Sequence, residues 1–219
     1  MRLVMVMSGG LDSTVAASAL IHAGHVLTGL GFDYGQRHRR ELDGLPAIWE
    51  RLGMQGRVTD LRGVTSLLGG SSLTADIDVP HGHYAEEAMR VTVVPNRNMI
   101  MAAIAWGFAV AQKAEGIGLG VHGGDHFIYP DCRPEFVEAL EKTLALATDG
   151  YSAKPVVLAP FLRGSKADIV KRGAELGAPM ELTWTCYEGG EVHCGKCGAC
   201  VERREAFQLA GVPDPTVYH

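Results

Sequence analysis

The chain has no surplus of basic residues, no long apolar run and no repeat. Its 219 residues include 20 lysines and arginines against 25 aspartates and glutamates, a formal charge of −5. A wide polyanion-binding face needs excess cations, so DNA or tRNA is not expected as the main ligand, although a local basic pocket is not ruled out. No apolar stretch reaches membrane-spanning length. Met1 leads straight into a strand without signal or transit composition, so a cytoplasmic protein with no membrane partner is expected. Internal repeats and low-complexity tracts are absent. The five cysteines are one short of an even disulfide framework, and four of them crowd into Cys186–Cys200. That crowding points to metal chemistry in a reducing compartment.

What is present is an ordinary globular composition, 47% hydrophobic and 21% charged, sized for one domain or one domain with a small appendage. The chain is organised around Arg2–Thr14. Leu3–Met7 is an apolar run of strand length, Ser8-Gly9-Gly10 forces a turn, and Asp12–Ala23 begins a helix with Gly24 as its stop. A strand that enters a helix through bare backbone gathers N–H groups around one concavity, at the positive end of the helix, so an anion is expected there. Within this segment neither the Walker spacing nor G-x-G-x-x-G occurs. Further strands are expected at His25–Phe32, Arg57–Leu61, Ile117–Val121 and Val156–Ala159. Helices are expected at Glu41–Leu52, Met99–Glu115 and Pro134–Thr148, from a capping box at Ser165–Asp168 to Leu176, and at Val201–Leu209. Arg62–Asn96 reads as a long irregular lid or binding loop. The alternation predicts a doubly wound, five-stranded parallel sheet of Rossmann type over residues 1–180, with ligands at the C-terminal strand edge. Residues 181–219 form a small C-terminal metal-binding region.

Cys186, Cys194, Cys197 and Cys200 read C-x7-C-x2-C-x2-C, with Gly195 and Gly198 allowing tight turns. Four thiolates with no open position suit a structural Zn²⁺ whose binding holds the loop folded; an iron–sulfur cluster is the rival. His193 is either a substitute ligand or an exposed neighbour. Cys132 stands apart as an ordinary thiol with no assigned base.

Ser8-Gly9-Gly10-Leu11-Asp12-Ser13 resembles the pyrophosphate loop of the ATP pyrophosphatases, which split ATP between the α- and β-phosphates and transfer AMP to a substrate oxygen. Four further strings follow in order: Phe32-Asp33-Tyr34-Gly35-Gln36-Arg37-His38, Pro95-Asn96-Arg97-Asn98, Tyr129 to Phe136, and Thr183-Trp184-Thr185-Cys186-Tyr187. With the cysteine tail they resemble the 7-cyano-7-deazaguanine synthase family over nearly the whole chain. That family usually has Gln at Leu11, Gly at Asn96 and often Ser at Thr185. Leu11 is expected to contribute only backbone, and Asn tolerates the positive φ that a Gly there would supply.

The resemblance implies an adenine nucleotide α-hydrolase-like fold and an ATP-dependent ligase that turns 7-carboxy-7-deazaguanine and ammonia into the 7-cyano compound through adenylated acid and amide. It also suggests a homodimer. On this reading Met7, Ser8, Gly9, Gly10, Leu11, Asp12, Ser13 and Thr14 hold ATP, and Asp12 carries Mg²⁺ unless it merely caps the helix. Asp12, Ser13, Arg97 and Lys166 are the catalytic candidates. Lys166 reaches phosphate or is solvated, and Arg97 grips a carboxylate or α-phosphate. Asp33, Gln36, Arg37, Arg97, Asp131 and Arg133 are candidates for the substrate, with loop-shaping or a structural salt bridge as their plain alternatives. His38 belongs with the first group. His122, Asp125 and His126 read as polar pocket-lining residues rather than metal ligands, and Trp184 and Tyr187 as packing over the cysteine loop. Three other readings share some of these features: a tRNA-thiolating relative, an enzyme joining a deazaguanine to a protein, and a nucleotide-binding regulator.

Overall fold

The protein is described by a computed structural model that covers residues 1–65, 67–83 and 89–219. Position 66 and positions 84–88, within the irregular stretch expected at Arg62–Asn96, lie outside the described residues.

Five parallel strands form one sheet in the order β3-β2-β1-β4-β5: β1 (Arg2–Val6), β2 (Val26–Asp33), β3 (Gln55–Asp60), β4 (Gly116–Gly118) and β5 (Val156–Leu158). The principal helices are α1 (Leu11–His22), α2 (Leu45–Arg51), α3 (Arg97–Ala111), α4 (Pro134–Ala147), α5 (Lys166–Leu176) and α6 (Gly198–Ala210), with single turns at Arg40–Asp43 and Arg62–Thr65. Successive side chains of a strand point to opposite faces, so β1 feeds two cores. Val4 packs with Leu30, Trp106 and Leu140 of the α3/α4 layer. Leu3 and Met5 pack with Val15, Ile48, Ile169 and Phe207 of the α1/α2/α5/α6 layer. Both faces are covered, as a parallel sheet requires.

Departures from expectation have local causes. The helix expected over Glu41–Leu52 breaks at Gly44, and Pro46 sits in the first turn of α2. The helix expected at Met99–Glu115 starts at Arg97 and stops at Ala111, because Lys113 turns to φ 54°. Asn96, the residue before α3, lies at φ 59° and ψ 18°, the left-handed conformation that asparagine tolerates. The strand expected at Ile117–Val121 leaves regular pairing after Gly118, although Leu119 N–H still reaches Leu158 O at 2.8 Å. The helix expected from Val201 begins at Gly198, with Cys197 as its N-cap.

The C-terminal segment is knit together around Arg203, which is fully buried and reaches back only to Met180. Its guanidinium donates to Thr183 Oγ1 (2.9 Å), Thr185 Oγ1 (3.1 Å) and Met180 O (3.2 Å) and pairs with Asp214 at 3.2 Å. Tyr218 Oη donates to the same Asp214 at 2.6 Å.

Candidate active site

Strand order reverses beside β1, which has β2 on one side and β4 on the other. In open α/β sheets the crevice beyond the strand ends at such a point receives ligands. Here the principal cleft is lined by the ends of β1 (Val6, Met7, Ser8), the segment after β4 (Leu119, Gly120, Val121) and the start of α1. A G-x-G-x-x-G string does occur at 118–123, but a 3₁₀ turn follows it rather than an α-helix. It is therefore no dinucleotide fingerprint. Gly120 serves another purpose, since a Cβ there would lie 2.7 Å from Ser13 Cα. Its bareness lets β4 close against the N-terminus of α1.

The loop after β1 is held by its own serines. Ser8 N–H donates to Ser13 Oγ (3.2 Å), Gly10 N–H donates to Ser8 Oγ (3.1 Å), and the two hydroxyls lie 3.3 Å apart. Gly10 is the N-cap of α1, and no side chain caps that helix. The first N–H groups of a helix have no partner within it, so the loop offers donors to an anion. Asp12 lies inside the helix, which removes its reading as a simple cap. Two members of the expected loop have different duties. Gly9 does not line the cleft; it sits at φ +89°, and a Cβ there would come 1.9 Å from Glu41 O. Its bareness admits the Arg40–Asp43 turn. Thr14 is fully buried below the loop and also does not line the cleft. Leu11 lines the cleft but is buried in the core of the α1 layer, which explains why an apolar side chain is accepted there.

Charged groups converge beside this loop. Lys166, the first residue of α5, places Nζ 2.6 Å from Glu202 Oε2 and 3.3 Å from Asp12 Oδ2. Burial by itself would raise the Asp12 pKa, but Lys166 and His122 overcome it and hold the carboxyl below its ordinary range. Burial would lower Lys166, yet Asp12, Glu202 and Asp125 raise it, so the ammonium is secured. Burial raises Glu202, Lys166 opposes this, and the carboxyl remains above its usual value. His122 is fully buried. Its Nδ1 accepts from Gly124 N–H at 3.1 Å, which places the ring proton on Nε2. That nitrogen faces Asp125 Oδ2 at 3.4 Å and Asp12 Oδ2 at 3.7 Å. His122, Asp125 and Glu202 are close enough to surround an ion. A nitrogen that carries its proton cannot ligate, and His122 Nε2, near both carboxylates, makes no hydrogen bond among the described residues. Asp12 Oδ1 is buried with no hydrogen-bond partner among the described residues.

The opposite wall is aromatic. Arg97, at the start of α3, reaches Tyr34 Oη at 3.4 Å and lies over that ring. Tyr129 and Tyr187 line the same wall, and both, with Tyr34, act electrostatically on the guanidinium. Among the described residues Arg97 has no carboxylate within ion-pair distance. Burial pushes Tyr34 up to about 12 and Tyr187 well above its usual value, so both phenols stay protonated. Thr92 Oγ1 donates its proton to Met89 O (2.6 Å), so in its 2.7 Å contact with Tyr129 Oη the phenol is the donor. His38, Trp184 and Tyr187 also line the cleft, so the last two do more than pack over the cysteines.

Several substrate candidates are employed elsewhere. Asp33 accepts from Gly35 N–H (3.1 Å) and lies 3.5 Å from Arg39. Gln36 accepts from Tyr34 N–H (3.0 Å) and donates to Phe32 O (3.2 Å). Arg37 donates to Ala75 O and Ile77 O, both at 3.1 Å. These three shape the loop after β2 and do not line the cleft. Asp131 Oδ2 accepts Asn98 N–H (3.1 Å) in the first turn of α3, and Arg133 Nε donates to His126 O (2.7 Å). Arg133 borders a separate open depression with His126 and Arg163. Conversely, sequence reasoning overlooked Glu202, which reads as one more charge on a polar helix.

Cys186, Cys194, Cys197 and Cys200 bring their sulfurs within 4.8 Å of one another. Cys194 N–H donates to Cys186 Sγ (3.4 Å), and the N–H groups of Lys196 (3.4 Å) and Cys197 (3.3 Å) donate to Cys194 Sγ. Such donors stabilise thiolate charge, and the soft sulfur set could hold a metal such as zinc. His193 is neither ligand nor exposed: its Nε2 accepts from Thr185 N–H (3.1 Å), and its ring packs on Trp184 at 4.1 Å. The segment leading into the cysteines touches the loop after β1 directly, through Trp184 N–H to Gly9 O at 3.0 Å.

The chain is 60% identical to a 7-cyano-7-deazaguanine synthase of Brucella anthropi and 57% identical to that of Brucella ovis, in each case over its full length and 94% of the relative. Among solved structures, a U34-tRNA thiolase of Methanococcus maripaludis aligns with a TM-score of 0.50 at 16% identity, covering 96% of this chain and 73% of that one, a likeness of fold alone. Residues 2–211 match the family of the queuosine biosynthesis protein QueC. By this match and these full-length identities, the chain belongs to the QueC family.

Proposed function

We propose that this protein is a ligase that converts 7-carboxy-7-deazaguanine and ammonia, at the expense of ATP, into 7-cyano-7-deazaguanine for queuosine biosynthesis. One observation carries the reading: a single cleft joins an uncapped loop to Arg97, a half-buried cation with no carboxylate within ion-pair distance among the described residues. The loop suits the triphosphate, and Arg97 suits a carboxylate on a flat base stacked among Tyr34, Tyr129 and Tyr187.

A carboxylate resists ammonia because its charge repels nucleophiles and its oxygen leaves badly. Transfer of AMP to that oxygen releases pyrophosphate and makes a mixed anhydride. Ammonia then forms the C–N bond, the C–O bond breaks, and AMP departs with the acid's oxygen. The amide oxygen is adenylated in a second round, and loss of AMP with the remaining N–H protons leaves the nitrile. Ser8, Ser13 and the first N–H groups of α1 receive the negative charge that develops on pyrophosphate. Lys166 brings a permanently charged ammonium to the same place. The apolar lining, with Met101, Leu119 and Val121, keeps water from the anhydride.

Mg²⁺ fits the acidic side of the cleft. Asp12 offers a hard oxygen, and its orphaned Oδ1 is the atom such an ion would satisfy. When bound, the ion neutralises phosphate charge. Zn²⁺ at the four cysteines supplies structure alone, since four sulfurs leave no open position. A sulfur-transferring reading has less support. Burial, with Asp125 and Asp131, pushes the thiol of Cys132 well up, and a protonated thiol is a poor nucleophile.

The test is incubation of the purified protein with ATP, Mg²⁺, ammonium and acid labelled with ¹⁸O in both carboxyl oxygens. Mass spectrometry is expected to find amide, then nitrile, and two singly labelled AMP per nitrile. Unlabelled AMP beside a nitrile product would refute the adenylate route.

A further inference from the structure

Lys166 sits between two carboxylates from distant parts of the chain. Asp12 belongs to α1 and Glu202 to α6, two residues beyond Cys200. The nearer partner is Glu202, at 2.6 Å against 3.3 Å for Asp12. The Glu202 contact is the better shielded, with the Lys166 side chain 12% exposed and that of Glu202 14%, against 26% for Asp12. The main chain of Lys166 is fixed by the capping box of α5, in which Ser165 Oγ accepts Asp168 N–H at 3.2 Å and Asp168 Oδ2 accepts Ser165 N–H at 2.8 Å. Glu202 is equally placed, because Cys197 caps α6 and Arg203, the next residue, is locked by four polar contacts. The flexible stem of Lys166 is thus the moving part between two rigid mounts.

Without Glu202, the buried ammonium would have Asp12 Oδ2 as its nearest counter-charge, and full pairing would occupy the carboxylate assigned above to Mg²⁺. With Glu202, Lys166 is satisfied elsewhere, and Asp12 Oδ1 stays without a partner among the described residues. We infer that Glu202 is a positioning residue of the C-terminal region that draws Lys166 away from Asp12, leaving the Asp12 carboxylate open to Mg²⁺ and the ammonium aimed at the phosphates. This inference rests on the reading of Asp12 as the Mg²⁺ carrier. It gives the cysteine segment a part in catalysis, because the loop that ends at Cys200 sets the register of Glu202.

The experiment compares Glu202→Gln, Glu202→Asp and Glu205→Gln in the full-length protein. Glu205 lies on the same helix but pairs with His83 at the surface. In acid-dependent pyrophosphate–ATP exchange, Glu202→Gln is expected to raise the Mg²⁺ concentration for half-maximal rate about tenfold, the scale of one lost charge-assisted hydrogen bond. Glu202→Asp is expected to recover part of that shift, and Glu205→Gln to behave as wild type. A second readout needs no turnover: pulse acetylation of the metal-free, nucleotide-free protein, with peptide mass spectrometry of Lys166. Loss of the nearer carboxylate is expected to make Lys166 more reactive, whereas Glu205→Gln is not. Unchanged Mg²⁺ dependence and unchanged labelling in a folded Glu202→Gln protein would overturn the inference, even if its rate fell uniformly. Asp12→Asn separates the two layers. If that variant keeps wild-type Mg²⁺ dependence, the metal assignment at Asp12 fails by itself, and the labelling arm still decides whether Glu202 holds Lys166.

Discussion

Gly9→Ala should disable the enzyme through geometry, although Gly9 does not line the cleft. Two penalties combine. The backbone at φ +89° is a conformation that an L-residue adopts at a cost of about 1–2 kcal/mol. The new Cβ would also stand 1.9 Å from the carbonyl oxygen of Glu41. Relieving that overlap needs a shift on the order of 1 Å in the loop or in the Arg40–Asp43 turn, and overpacking of this kind costs about 1–3 kcal/mol. The sum, about 2–5 kcal/mol, corresponds to a fall in Tm of roughly 4–20 °C for a chain of this size. A displacement on the order of 1 Å at the reacting centre costs about a hundredfold in rate. Gly24→Ala is the matched control. Gly24 has nearly the same φ, +85°, but a Cβ there meets nothing within 4 Å. It is expected to lose only the conformational part, roughly 2–6 °C in Tm, with kcat/KM unchanged. Thermal unfolding and pyrophosphate–ATP exchange on both variants separate strain from collision. If Gly9→Ala melted with Gly24→Ala and kept its kcat/KM, the close packing of the loop on Glu41 would not matter for catalysis, and the reasoning would fail.

Arg97→Met should lower kcat/KM for the acid by about 10- to 150-fold, the loss of one charged partner, while ATP binding measured calorimetrically without acid stays near wild type. Equal loss of both would move Arg97 to the nucleotide. Lys166 and His122 hold Asp12 below the ordinary carboxylate range, and the surrounding carboxylates hold Lys166 above the ordinary range of an amine. Neither should therefore produce a limb in kcat/KM between about pH 5 and pH 10; a limb there that vanished in Asp12→Asn would contradict the assignment. The sign for stability follows from linkage: a carboxyl depressed in the folded state contributes fully above its unfolded pKa and loses that contribution as pH falls through the folded value. Asp12→Asn should therefore narrow its Tm gap to wild type only below about pH 4. Arg203→Met should cost about 3–5 kcal/mol, because Asp214 and the Thr183 and Thr185 hydroxyls lose a fully buried partner; a denaturant midpoint within error of wild type would show that water replaces the guanidinium.

Features governed by neighbours in the chain were readable in advance. The strand–turn–helix at Arg2–Thr14 and the capping box at Ser165 follow from local backbone preference, and Asn96 adopts the positive φ that asparagine tolerates. So did the cysteine group, whose spacing brings its sulfurs together. Side chains with several possible partners were not readable. Asp33 and Gln36 carry the chemistry of a base-reading site, yet their bonds close on Gly35, Tyr34 and Phe32 a few residues away. Arg37 finds its acceptors 38 and 40 residues on, in a loop of poor periodicity. Glu202 was hidden for the opposite reason: its partner Lys166 lies 36 residues back, on a helix brought alongside only by the packed fold. Gly9 was recognised as bare, but one of its neighbours was not. The pattern indicated a residue without a side chain; only the tertiary structure reveals that Glu41 occupies the space.

These long-range partners alter the meaning of the C-terminal segment. As a sequence it looks like an appendage held by a metal, and such a module could in principle sit anywhere on the surface. Here it supplies Trp184, Thr185, Tyr187 and Ala199 to the cleft wall, donates to the phosphate-loop carbonyl of Gly9, and places Glu202 against Lys166. A loop of this size, rich in glycine, has too little apolar surface to hold those positions alone. A bound metal would confine the loop at four points, which turns binding free energy into local rigidity where the phosphates must be gripped. Chelation should accordingly change kinetics before it unfolds the sheet. Stripping the metal is expected to raise the KM for ATP and the Mg²⁺ requirement while the far-ultraviolet circular dichroism of the α/β core persists. If helix signal and activity were instead lost together at every chelator concentration, the cysteine segment would be a general staple of the fold with no separate hold on the site.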